Sequence, residues 1–143
     1  MKAEQFFRHL IYIDRQIDSD LEELEKIKAM MTCIPSPKFE PVINGKGGHC
    51  SRVENIVQKF FDLQQRITDE IDDLVDRKRD AMVILQRLEN QQQRIILQDY
   101  YIGRKSLELI AAEMYLSYRR VQEIKREGLA EAQKIMDRTK DSV

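Results

Sequence analysis

The sequence predicts an all-α protein in which a long antiparallel, coiled-coil-like helical hairpin precedes a compact helical module. Three observations carry this expectation. Apolar residues recur at steps of three and four through two long stretches, and nothing alternates as a half-buried strand would. The prolines are confined to one short stretch between them. Hydrophobic residues at 42% and charged residues at 34%, with five glycines and no Trp, suit a solvated helical chain. A length of 143 residues allows one domain or two small ones, here residues 1–87 for the hairpin and 88–143 for the module.

Residues 4–31 read as the first amphipathic helix. Leu10, Ile13, Ile17, Leu21, Leu24, Ile27 and Met31 form its apolar stripe, and Asp14, Arg15, Asp18, Glu22, Glu25 and Lys26 its polar face. Such a stripe is a packing seam rather than a cofactor site. Residues 33–50 break the pattern. Ile34-Pro-Ser-Pro-Lys-Phe-Glu-Pro contains all three prolines, and Asn44-Gly-Lys-Gly-Gly follows. The glycines lack the Lys-Ser/Thr ending and preceding strand of a phosphate-cradling loop.

Cys33, His49 and Cys50 bracket this loop. A metal site would need a second Cys/His pair, and a reducing compartment disfavours a stable disulfide. They are read as free side chains at the ends of a loop, and no metal or cofactor is expected. His9, beside Phe6 and Phe7, stands alone and is read as an ordinary packed or exposed histidine.

Residues 51–87 read as a second helix, roughly 55 Å long at 1.5 Å per residue. Val53, Ile56, Phe60, Leu63, Ile67, Ile71 and Leu74 again step by three and four. A polar helix of this length is unstable alone, so the first helix is its expected partner. Asp69, Glu70, Asp72, Asp73 and Asp76 scatter around it without calcium-loop geometry and read as a solvated face. Ala81-Met-Val-Ile-Leu-Gln-Arg-Leu is apolar on most sides and is expected to be buried by two surfaces.

Residues 88–101 are expected to form the first helix of the module, with Leu88, Ile95, Ile96, Tyr100 and Tyr101 inward. Gly103 would be its C-terminal stop. Leu107 to Lys125 then reads as two short helices joined by a tight turn. Ile110, Met114, Leu116, Val121 and Ile124 mark the buried faces and the turn, and Ala111 lies where the helices would cross. Ser117 is positioned to cap the second helix. The other face of that helix carries Tyr118, Arg119, Gln122 and Lys125, which can reach base edges and phosphates. This is the pattern of a helix-turn-helix. The last helix is expected to continue through Leu129, Ala132, Ile135 and Met136, with a kink or break at Gly128.

The stretch from Leu97-Gln-Asp-Tyr-Tyr-Ile-Gly-Arg-Lys-Ser to Tyr118-Arg-Arg-Val resembles the region-4 module of bacterial sigma factors. The layout of the whole chain resembles small phage-encoded transcriptional regulators of the ArpU and RinA kind. The close resemblance covers residues 88–136. It implies binding to double-stranded DNA, and contact with RNA polymerase as the alternative. One position departs from the family. The turn residue, usually Gly or Asn, is Tyr115, and a left-handed backbone is costly for a bulky side chain, which predicts a wider turn.

On this reading Tyr118, Arg119 and Gln122 meet base edges, while Arg104, Lys105, Arg120, Lys125 and Arg126 hold phosphates. A net charge of −1 gives no overall basic signature. Locally, residues 104–126 hold six Lys/Arg against three Asp/Glu, whereas residues 1–32 hold five against seven. Glu123 and Glu127 interleave with the basic residues and weaken the field. No acid, base or nucleophile sits in a recognisable catalytic sequence, so no enzymatic activity is expected. The apolar runs are too short to cross a bilayer and the first residues lack a signal-peptide core, so a cytoplasmic protein is expected. Phe60, Phe61, Val75 and Val83 widen the apolar surface of the second helix, which predicts self-association through the hairpin. The competing reading is a non-catalytic adaptor that binds another protein through the hairpin or the module.

Overall fold

The computed structural model describes residues 2–32 and 48–141, with only the backbone described for 48–51. Cys33, the Pro/Gly-rich segment 33–47 and the side chains of His49 and Cys50 lie outside the described residues. The described chain is helical without strands: α1 (Ala3–Thr32), α2 (Gly48–Gln86), α3 (Gln91–Leu97), a π-helical turn (Gln98–Ile102), α4 (Leu107–Met114) and α5 (Tyr118–Asp141). This is the expected all-α class, with α1 and α2 as the two arms of the hairpin.

By packing, the chain groups into two compact units. One comprises residues 15–72, the other residues 1–14 together with 73–143. In the first, α1 and α2 close on a seam of Ile27, Leu63 and Ile67, flanked by Leu24, Met31, Ile56 and Phe60. These are among the residues that the three-four spacing placed inward, but Leu21, Val53 and Ile71 of the same stripes are exposed, and Phe60, expected also to widen the free surface of α2, packs against the seam. The seam also holds a polar layer. Buried Asp20 accepts hydrogen bonds from Gln16 Nε2 and Arg66 Nη2, each at 3.1 Å. Glu70 lies beside it, with its carboxyl pushed above the usual carboxylate range. Burial is the main cause, followed by the hydrogen bond to Asp20 and that residue's charge; Arg66 opposes them.

The second unit is built around the end of the chain. Phe7, Leu10, Leu85, Ile96, Leu97, Ile110, Val121 and Ile124 are fully buried there. Phe7 packs on Tyr101 with ring centroids 5.4 Å apart, and the Ala3 backbone N–H donates to Gln133 Oε1 on α5. The first turns of α1 are therefore part of the core that holds α3 to α5. Val83, 46% exposed, shows that the apolar end of α2 is buried on fewer sides than expected.

Three expectations for this unit need correction. The helix expected over 88–101 starts at Gln91, where the Asn90 side chain accepts from the Gln93 N–H at 3.2 Å, and passes after Leu97 into the π-helical turn. Leu97 is buried in this unit and Ile95, expected inward, is exposed. Gly103 does end the segment, but at φ −79° it is not the left-handed stop; Arg104, at φ 57°, is. Gly103 is required because a Cβ there would lie 2.9 Å from the Asp99 carbonyl oxygen. Finally, α5 runs unbroken through Gly128. A Cβ at that position would lie 3.1 Å from Leu97 Cδ1 and 3.2 Å from Gln93 Cβ, so the glycine lets α3 and α5 approach closely.

Candidate nucleic-acid interface

The sequence around Ser106 to Lys125 dictates its own local structure. Ser106 Oγ accepts from the Leu109 N–H at 3.2 Å and caps α4. The helix ends at Tyr115, which adopts the left-handed conformation at φ 56°, ψ 37°. The Leu116 N–H then donates to the Ala111 carbonyl at 3.0 Å, closing the turn. The turn is therefore tight, and the wider one expected from Tyr115 does not occur. The aromatic ring avoids steric cost by projecting outward, 95% exposed, although the backbone strain remains. Ser117 Oγ accepts from the Arg120 N–H at 3.1 Å, as a cap of α5 should.

Behind the turn, Ile96, Ile110, Ala111, Val121 and Ile124 form one buried cluster, with Tyr100, Leu107, Met114 and Leu116 packed against it. It fixes the pose of α5 on α4, and the small side chain at Ala111 permits their approach. The outward face of α5 is thereby determined. Arg119, Glu123 and Arg126 follow at steps of four and three and share that face. Arg119 has 91% of its side chain exposed, and Tyr118, Arg120 and Gln122 are exposed as well. Gln122 also lines a groove of about 280 Å³ with Glu4, Leu107 and Arg126.

The eight predicted contact residues are not equivalent in the structure. Lys125 is turned inward, with its ammonium 4.1 Å from the centre of the Tyr100 ring and 5.4 Å from that of Tyr101. Burial is the main cause that lowers its pKa, Arg8 adds to the effect and Glu4 opposes it. Lys105 donates to Glu113 Oε2 at 2.9 Å, and that bond raises its pKa. Arg104 is exposed at the left-handed position just before α4. Glu123 lies between a predicted base reader and a predicted phosphate contact, 3.6 Å from Arg119 Nε and 3.3 Å from Arg120 Nη1. Its spacing of four and three from them was a local signal for such pairing. The approach of Glu4 to Gln122 and Lys125 had no local signal, because it joins opposite ends of the chain.

Comparisons with protein-family models, curated proteins and solved structures found no match. Among the described residues, no helix is long and apolar enough to cross a membrane, and no three His, Cys, Asp or Glu side chains group as a metal site.

Proposed function

We propose that this protein is a non-enzymatic, sequence-specific DNA-binding regulator of transcription, cytoplasmic and of the phage-regulator kind its sequence resembles. The observation that carries the reading is the α4–turn–α5 geometry. The short capped helix α4 and the start of the long, capped helix α5 are locked at a tight turn, and α5 turns an exposed arginine-bearing face away from the cluster that holds it. A helix so mounted can enter the major groove with its first turns toward the bases. Arg119, Gln122 and Tyr118 are the base readers in this reading. Arg120 and Arg126 flank them as phosphate contacts, with Arg104 and Lys105 before α4. Lys125 would have to leave the Tyr100 ring to reach a phosphate, and Lys105 would have to leave Glu113.

The test is titration of the purified chain against random and selected duplexes over a range of salt. Affinity should fall linearly on logarithmic axes, with a slope of about 0.9 per phosphate neutralised. Arg119→Ala should cost about 1–3 kcal/mol at the selected site and relax one base position. Equal losses on random DNA would remove Arg119 from base readout, and absence of salt-dependent binding would overturn the function.

A second reading, contact with another protein chain, is favoured by a separate observation. Val53, Phe61 and Ile71 on α2 are 39%, 57% and 41% exposed. Exposed apolar side chains on a helix already paired along another face suit a second copy of the chain, or a partner such as RNA polymerase.

A further inference from the structure

The acid on the outward face of α5 is the least expected feature of a helix that reads DNA. Glu123 holds Arg119 and Arg120 at 3.6 and 3.3 Å, and its own side chain is 42% exposed. A carboxylate so placed opposes the phosphate field and occupies both arginines. Exposed ion pairs of this kind are weak enough to be exchanged for other partners. The question is which partner would take the carboxylate once the arginines leave it.

The major groove answers by elimination. Guanine presents acceptors there, and thymine an acceptor with a methyl group. Adenine offers its amine beside the N7 acceptor, which repels a carboxylate. Cytosine presents its N4 amine as a donor, and Glu is suited to accept from it. We propose that Glu123 is a specificity-determining residue: it neutralises Arg119 and Arg120 in the free protein and exchanges them for the N4 amine of a cytosine at the target site. The inference rests on the DNA-binding reading above and names one base of the site. On any other sequence the carboxylate stays unpaired or keeps the arginines from the phosphates. Discrimination then comes from repulsion as well as attraction.

The experiment compares wild type, Glu123→Gln, Glu123→Ala and Glu127→Gln. The last removes the same charge four residues on and leaves the Glu123 pairs in place. Each protein is titrated against random duplex at several salt concentrations and used to select bound sequences, with helicity followed by circular dichroism. Glu123→Gln and Glu123→Ala should bind random duplex about fivefold more tightly than wild type at 0.1 M salt. Their salt slope should steepen by about one to two as the released arginines meet phosphates. Wild type should select cytosine at one position by roughly tenfold. Glu123→Gln should replace that cytosine with adenine, because Gln pairs with N6 and N7, and Glu123→Ala should show no preference there. Glu127→Gln should keep the cytosine. If wild type binds DNA but Glu123→Gln behaves like Glu127→Gln in both assays, the role of Glu123 is overturned and the DNA reading stands. If no protein of the set binds any duplex at low salt, both fall together.

Discussion

At Tyr115 an aromatic residue occupies the left-handed position between two helices, where glycine would sit without strain. A left-handed backbone costs an L-residue about 1–2 kcal/mol. Glycine would lose about 0.5–1 kcal/mol through the greater freedom of the unfolded chain. The ring, 95% exposed, has little burial to lose. The balance favours Tyr115→Gly by about 0.5–1 kcal/mol, readable as a higher urea midpoint with an unchanged slope. A lower midpoint would mean that the exposed ring stabilises the fold through contacts that outweigh its backbone strain. Lys125 and Arg119 make the complementary point. Both are cations on α5, yet one is held against Tyr100 and the other has almost no cover.

Among the elements, α5 is set by what it packs against. Gly128 faces Leu97 and Gln93 across the crossing with α3. Gly128→Ala should gain about 1 kcal/mol of helix propensity and lose a similar amount to crowding, leaving thermal stability nearly unchanged. Gly128→Val adds two more carbons to the same space and should cost about 1–3 kcal/mol. A thermal midpoint equal to wild type for the valine variant would show that the crossing can open freely. In the α1–α2 seam, Glu70 makes stability depend on pH. Its carboxyl is raised above the ordinary value of 4.5, so the folded hairpin binds that proton more tightly than the unfolded chain does. This contribution is fully present below 4.5 and is lost as pH rises through the folded value. Glu70→Gln keeps a neutral hydrogen-bonding group there and should be more stable than wild type at pH 7, with the difference vanishing near pH 4. Denaturation midpoints at the two pH values measure this, and a pH-independent difference would exclude Glu70 as the source.

For the whole molecule, the apolar side chains that α1 leaves uncovered on α2 set the expectation. Val53, Phe61 and Ile71 are each exposed by more than a third in the hairpin unit. A pair of helices buries one seam, and two-fold self-association is the commonest way to cover a second. Sedimentation equilibrium at tens of micromolar should give twice the 17.0 kDa chain mass. Phe61→Asp, at a position that is 57% exposed, should return the chain to monomer without loss of helicity. A monomeric wild type would sink the idea. Under the proposed function, a dimer would also present two copies of α5 to DNA, through which two weak contacts combine into useful affinity.

Much of this architecture was legible because helices leave periodic traces in sequence. The spacing of Ile27, Leu63 and Ile67, the pairing of Ser117 with α5 and the cluster of Ile110, Val121 and Ile124 follow from neighbours three or four residues apart, or from a single cap. The exposure of Arg119 followed from the same periodicity, since it lies opposite Val121 and Ile124. Contacts between distant stretches leave no such trace. That Phe7 belongs with Tyr101, that Leu97 rather than Ile95 is buried, and that Lys125 is drawn onto Tyr100 were decided by how separate helices came together. Gly128 shows the difference most plainly. By helix propensity it is a weak point, but in the tertiary structure it is the gap that admits Leu97 and Gln93, because close packing at a helix crossing offsets the local cost of a glycine.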